Sequence, residues 1–180
     1  MIKYIICDSL RNLPPTGATK AFVYHSSFAA RSYTGYGYTR RKGRQFKLLL
    51  QWPKWQDNPD CPAYAHHTTF YVVIHDATRH VKNLSSEAFE LAKTGRHRYI
   101  IWVGMSQAKN PALVDHRAFH RLVFFLSKRL GAIVFDARDR QAVRADQYAR
   151  EYSTMIKQPF SLRLTPRDLH RLPSGSRNLD

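Results

Sequence analysis

The residues of this sequence with the widest chemical reach lie between Arg31 and Arg44, in the run RSYTGYGYTRRKGR. Tyr33, Tyr36 and Tyr38 alternate with small residues, and Arg40, Arg41, Lys42 and Arg44 follow, with Arg31 at the head of the run. Phenol rings stack on unpaired bases, cationic side chains neutralise phosphates, and glycine lets a backbone approach a ligand closely. Aromatics interleaved with cations are what single-stranded nucleic acid requires of a binding surface. The plainer alternative is a surface loop whose tyrosines pack back onto the domain.

A second constellation is built on histidine. His25-Ser26-Ser27-Phe28 and His67-Thr68-Thr69-Phe70 each present a histidine two residues before a hydroxyl. Paired imidazoles titrate near neutrality and can exchange a proton across a phosphodiester. The two runs resemble the motifs of the 2H phosphoesterases. That resemblance implies His25 and His67 as general acid and base, with Ser27 and Thr69 offering hydroxyls to the phosphate. Other histidines are dense too. His66, His67, His75 and His80 are close in sequence, and His116 and His120 stand four apart on one helical face, the spacing of some zinc sites. The run HRAFH lacks a zinc-protease glutamate and neither cysteine has a CxxC partner, so these are read as surface or satisfied histidines and no metal is expected. His75-Asp76 ends a strand, where an acidic residue can orient a histidine or simply begin a turn. Cys61 sits between prolines with nothing nearby to lower its pKa. There is no Gly-rich phosphate loop, and the only glutamates are Glu87, Glu90 and Glu151, so no cofactor is expected and a paired-carboxylate mechanism is hard to stage.

Elements that would position these groups follow from pattern. Ile2–Cys7, Ala21–His25, Phe46–Trp52, Thr69–His75, Arg98–Gly104 and Ala132–Phe135 read as strands, with Thr69–His75 apolar on both faces and therefore interior. Helices are expected after Ser85 or Ser86, from about Leu113 to Leu130, and from Ala145 to Ile156. Lys128, Arg129 and Gly131 supply the stop signals of the longest one. The segment between Asn12 and Thr19, with Pro14, Pro15 and Gly17, reads as loop. The expected architecture is a single α+β domain over residues 1–157. It has a mixed central sheet and about three helices, mainly on one face. Pro159, Pro166 and Pro173 mark 158–180 as a partly flexible tail.

Composition narrows the function. The 180 residues carry 29 Lys and Arg against 13 Asp and Glu, a formal charge of +16. No acidic residue occurs between Asp8 and Asp57, while Arg11, Lys20, Arg31, Arg40, Arg41, Lys42, Arg44, Lys47 and Lys54 all fall there. Two cysteines make no disulfide framework, and no apolar run has secretory or membrane-spanning length. The expected compartment is thus the reducing cytoplasm, with no membrane partner. The leading expectation is a polyanion-binding domain, most simply for nucleic acid. A second is a protein-interaction module, an immunity, inhibitor or adaptor protein whose basic face docks on an acidic partner. A third is the phosphoesterase built on His25 and His67.

Overall fold

The apolar runs pair edge to edge into one sheet. The computed structural model describes residues 1–15, 17–19, 21–23, 47–53, 67–79, 84–105 and 113–157. Along these the elements are β1 (Ile2–Cys7), β2 (Lys47–Pro53), β3 (His67–Asp76), α1 (Ser86–Thr94), β4 (Tyr99–Met105), α2 (Leu113–Leu130), β5 (Ile133–Asp136), β6 (Gln141–Arg144), α3 (Ala145–Glu151) and α4 (Ser153–Lys157). The strands lie in the order β2-β3-β4-β1-β5-β6. No described helix is long and apolar enough to cross a membrane.

The fold is of the α+β class read from the sequence, but the sheet expected to be mixed is antiparallel at every neighbouring pair. Two connections explain this. Asp76, the last residue of β3, pairs with Tyr99, the first of β4, so the nine-residue α1 returns the chain to the end of the sheet it left. The 18-residue α2, about 27 Å long at 1.5 Å per residue, instead carries the chain back along the sheet. β4 and β5 consequently run parallel to each other, but β1 lies between them and opposes both.

Alternation sorts the strand side chains onto two faces. Ile5, Cys7, Phe70, Val72, Ile74, Ile101, Val103 and Val134 pack beneath Phe119, Leu122, Val123 and Leu126 of α2, joined by Tyr148 of α3 and Ile156 of α4. On the opposite face Tyr4, Ile6, Ile100 and Phe135 meet Ala88 and Ala92 of α1. Helices therefore lie mainly on one face, and β1 and β4, covered on both, are buried almost end to end.

Four local expectations are corrected. Residues 21–23 are helical, not a strand, and 17–19 are helical where a loop was expected. Tertiary contacts override the β-branched pattern there: the Phe22 ring stacks on Phe125 at 4.5 Å, and Arg121 binds the carbonyls that a neighbouring strand would have taken. The last helix divides at Tyr152 into α3 and α4. The turn after Asp136 leads into β6, an edge strand of four largely exposed residues whose alternation is too short to read.

The end of α2 shows how closely local signals act. Gly131 adopts φ +60°, Ala132 N–H donates to Ser127 O at 2.9 Å, and Gly131 N–H donates to Lys128 O at 3.4 Å, a Schellman motif. A Cβ on Gly131 would meet no atom within 4 Å, so Gly131→Ala introduces only left-handed backbone strain. We expect that variant to lose about 1–2 kcal/mol with an unchanged m value in urea unfolding. An unchanged midpoint would contradict the assignment.

Candidate functional site

The structure reaches the sequence-derived sites unevenly. Arg31, Tyr33, Tyr36, Tyr38, Arg40, Arg41, Lys42 and Arg44 lie outside the described residues, as do His25, Ser27, Cys61 and the segment 158–180. His67 and Thr69 fall at the start of β3, paired with Pro53 and Gln51 of the edge strand. His75 is partly buried at the other end of β3, its pKa lowered by burial. Asp76 begins a turn, accepting from Thr78 N–H at 3.0 Å and from the Thr78 hydroxyl at 2.7 Å.

What the described residues do define is where the acid-free stretch is tied to the body. Arg121, on the face of α2 towards residues 21–23, donates through Nη2 to Phe22 O at 2.5 Å and through Nε to Phe22 O and Val23 O at 3.1 and 3.2 Å. Its Nη1 donates to Ile156 O at 2.6 Å, and its guanidinium carbon lies 4.9 Å from the centre of the Phe22 ring. A guanidinium suits this task, because its fixed fork of donors can serve several acceptors at once. One side chain thus holds the last described residues before segment 24–46 and the last turn before segment 158–180. Downstream, Lys47 re-enters the sheet opposite Val73.

Beneath α3 lies a polar cluster that pattern reading missed. Lys3 shares the core-facing phase of Ile5 and Cys7, yet it is a lysine, and that mismatch is the signal in the sequence. Its ammonium contacts the Asp136 carboxylate and lies 3.4 Å from the Tyr152 hydroxyl. Burial lowers its pKa to about 8, with Asp139 and Glu151 opposing the shift and Arg138 adding to it. Contact with Asp136 also favours the charged form. Lys3, Asp136, Asp139, Gln141, Glu151 and Tyr152 are among the residues lining a shallow opening of about 260 Å³.

His120 lies deeper. Its Nδ1 and the Tyr148 hydroxyl are 2.6 Å apart, and its ring stacks on Tyr152 with centroids 4.0 Å apart. Burial is the chief cause that pushes His120 well below, and Tyr148 well above, their ordinary pKa values. A neutral phenol donating to Nδ1 of a neutral imidazole satisfies the contact between them, while the buried Nε2 finds no hydrogen-bond partner; the pair packs the core as neutral groups. His116 is buried on the same face of α2. Among the described residues no group of three His, Cys, Asp or Glu side chains is placed to hold a metal ion. The Cys7 thiol is buried and pushed up to about 11, chiefly by burial, so it is inert as a nucleophile.

Four carboxylates of the described residues meet groups of the body itself. Asp136 holds Lys3, Asp146 holds Lys128 at 2.6 Å, Asp8 holds His97 at 2.7 Å, and Glu87 accepts from the Ser85 hydroxyl at 2.7 Å.

The buried imidazole sets a pH dependence. In the unfolded chain His120 takes up a proton near its ordinary value of 6.5, whereas burial, then Lys3 and His116, keep the folded ring neutral to well below that. Between the two values the unfolded state binds more protons, so stability is complete above about pH 6.5 and is lost as pH falls through that window. His75 acts in the same sense. Each of the two imidazoles can cost up to about 1.4 kcal/mol per pH unit there in denaturant titrations, and His120→Phe should reduce the slope by its share. Equal slopes in the two proteins would contradict the assignment. Comparison with models of protein families, with curated proteins and with solved structures finds no match to this chain.

Proposed function

We propose that the protein binds nucleic acid, through the Tyr- and Arg-rich run from Arg31 to Arg44. One observation carries this reading. The stretch between Asp8 and Asp57 holds nine Lys and Arg and no carboxylate, in a chain of net charge +16, while the body's Asp8, Asp136 and Asp146 already contact His97, Lys3 and Lys128. Cations without local counter-ions attract a polyanion, and releasing its condensed counter-ions supplies the free energy of binding. The anchoring of the stretch adds to the argument. Within it, Arg121 binds the carbonyls of Phe22 and Val23 and β2 pairs with β3, so the segment between them that carries the Arg31–Arg44 run is tethered at both ends and less chain entropy is lost on binding. The alternating tyrosines favour unpaired bases over duplex, since stacking needs a free base face.

Anisotropy of a fluorescein-labelled thymidine oligonucleotide, titrated across about 50 to 200 mM NaCl, tests the reading. With five phosphates neutralised the affinity should fall about 100-fold over that range. Replacing Arg40, Arg41, Lys42 and Arg44 together by Ala should reduce the slope of log affinity against log salt by up to about 3. An affinity flat across the range, or a slope unchanged in the variant, would refute it.

A further inference from the structure

The sheet face under α1 carries a feature that the basic run does not explain. α1 packs on β1 and β4, over Tyr4, Ile6 and Ile100. The β3 residues of that face, Tyr71, Val73 and His75, are only partly buried, whereas Phe70, Val72 and Ile74 on the other face are fully buried. Register sets Val73 opposite Trp102 and Tyr71 opposite Gly104, with Ile2, 45% exposed, on the far side of Gly104.

Gly104 decides where the indole lies. A Cβ at this position would stand 2.6 Å from Cη2 and 2.7 Å from Cζ2 of Trp102, closer than side-chain atoms approach. Only glycine therefore lets the indole fold over the strand into the space between Tyr71 and Ile2. The Tyr71 and Trp102 rings lie 6.2 Å apart at 43°, a tilted pair within contact range. Two partly buried aromatics thus lie paired across adjacent strands, beside a glycine that clears the floor under the indole.

We infer that Trp102 and Tyr71 form a stacking surface for a base of a bound single strand, an inference that rests on the nucleic-acid reading above. Charge selects this occupant. The net charge is +16, the acid-free stretch enters the sheet at β2, and Lys47 takes the register position beside Val73, in the row that continues to Trp102. A single strand meets both demands, because its phosphates answer the cations and every base has a face to stack.

The test uses the full chain with Trp52→Phe and Trp55→Phe, which leaves Trp102 as the sole tryptophan of the three. A thymidine oligonucleotide should quench Trp102 fluorescence, whereas inorganic polyphosphate, with charge and no bases, should bind without quenching. Trp102→Leu should weaken oligonucleotide binding about tenfold, the loss of one stacked base, with the salt slope and the polyphosphate affinity unchanged. Should Trp102→Leu not fold, Tyr71→Leu carries the same comparison. Oligonucleotide binding without quenching, equal quenching by both polyanions, or an unweakened variant overturns the stacking surface and leaves the nucleic-acid reading intact. If the parent protein binds neither polyanion, both fall.

Discussion

Excess positive charge is the constraint under which this chain folds. With 29 Lys and Arg against 13 Asp and Glu, every compact arrangement works against its own repulsion. The structure gives two of its less exposed cations specific partners. Lys3 lies against Asp136 and the Tyr152 hydroxyl, and Arg121 is spread over the carbonyls of Phe22, Val23 and Ile156. Lys128 and Arg129 stand in the last turn of α2, where the helix dipole favours positive charge, and Lys128 also reaches Asp146.

Arg121 links that electrostatics to architecture. It is a partly buried group that joins α2, the helical residues 21–23 and the end of α4, parts of the chain that share no strand pairing. Backbone carbonyls in a partly buried junction need donors, and the guanidinium supplies them. The same contacts fix where the basic run departs, and β2, an edge strand, fixes where it returns. Beside that edge, Gly104 clears the sheet surface for the Trp102 indole. The strand that follows the basic run and the strand that carries Trp102 thus belong to the same sheet.

Much of the fold was legible because local and tertiary preferences agree. β1 has the same bounds in sequence and structure, β3 and β4 differ by a residue or two, and α2 stops where Lys128, Arg129 and Gly131 said it would. Legibility failed where long-range contacts decide. The AFVYH run has the residue types of a strand, but Arg121 and Phe125, about a hundred positions away, hold its start as a helical turn. The alternation of helices with strands suggested parallel pairing, and the α2 crossover is of that kind, yet β1 occupies the slot between β4 and β5. Among site residues, His116 and His120 were read as surface or satisfied histidines; both are buried, and His120 is held by Tyr148 and Tyr152 through one nitrogen and its ring face while Nε2 stays unpaired. Lys3 and the Trp102 platform escaped notice because a lone lysine in an apolar strand and a tryptophan two residues before a glycine carry no motif; only register and packing give them meaning.

The central claim is that the folded protein holds a large, locally uncompensated positive charge. Unfolding free energy measured against NaCl from about 10 to 200 mM tests it most directly, because added salt screens repulsion over distances near the Debye length. The account predicts that stability rises steadily with salt across this range. Stability that stayed constant or fell would mean that attractive pairs dominate the native charge distribution, and the claim would be wrong.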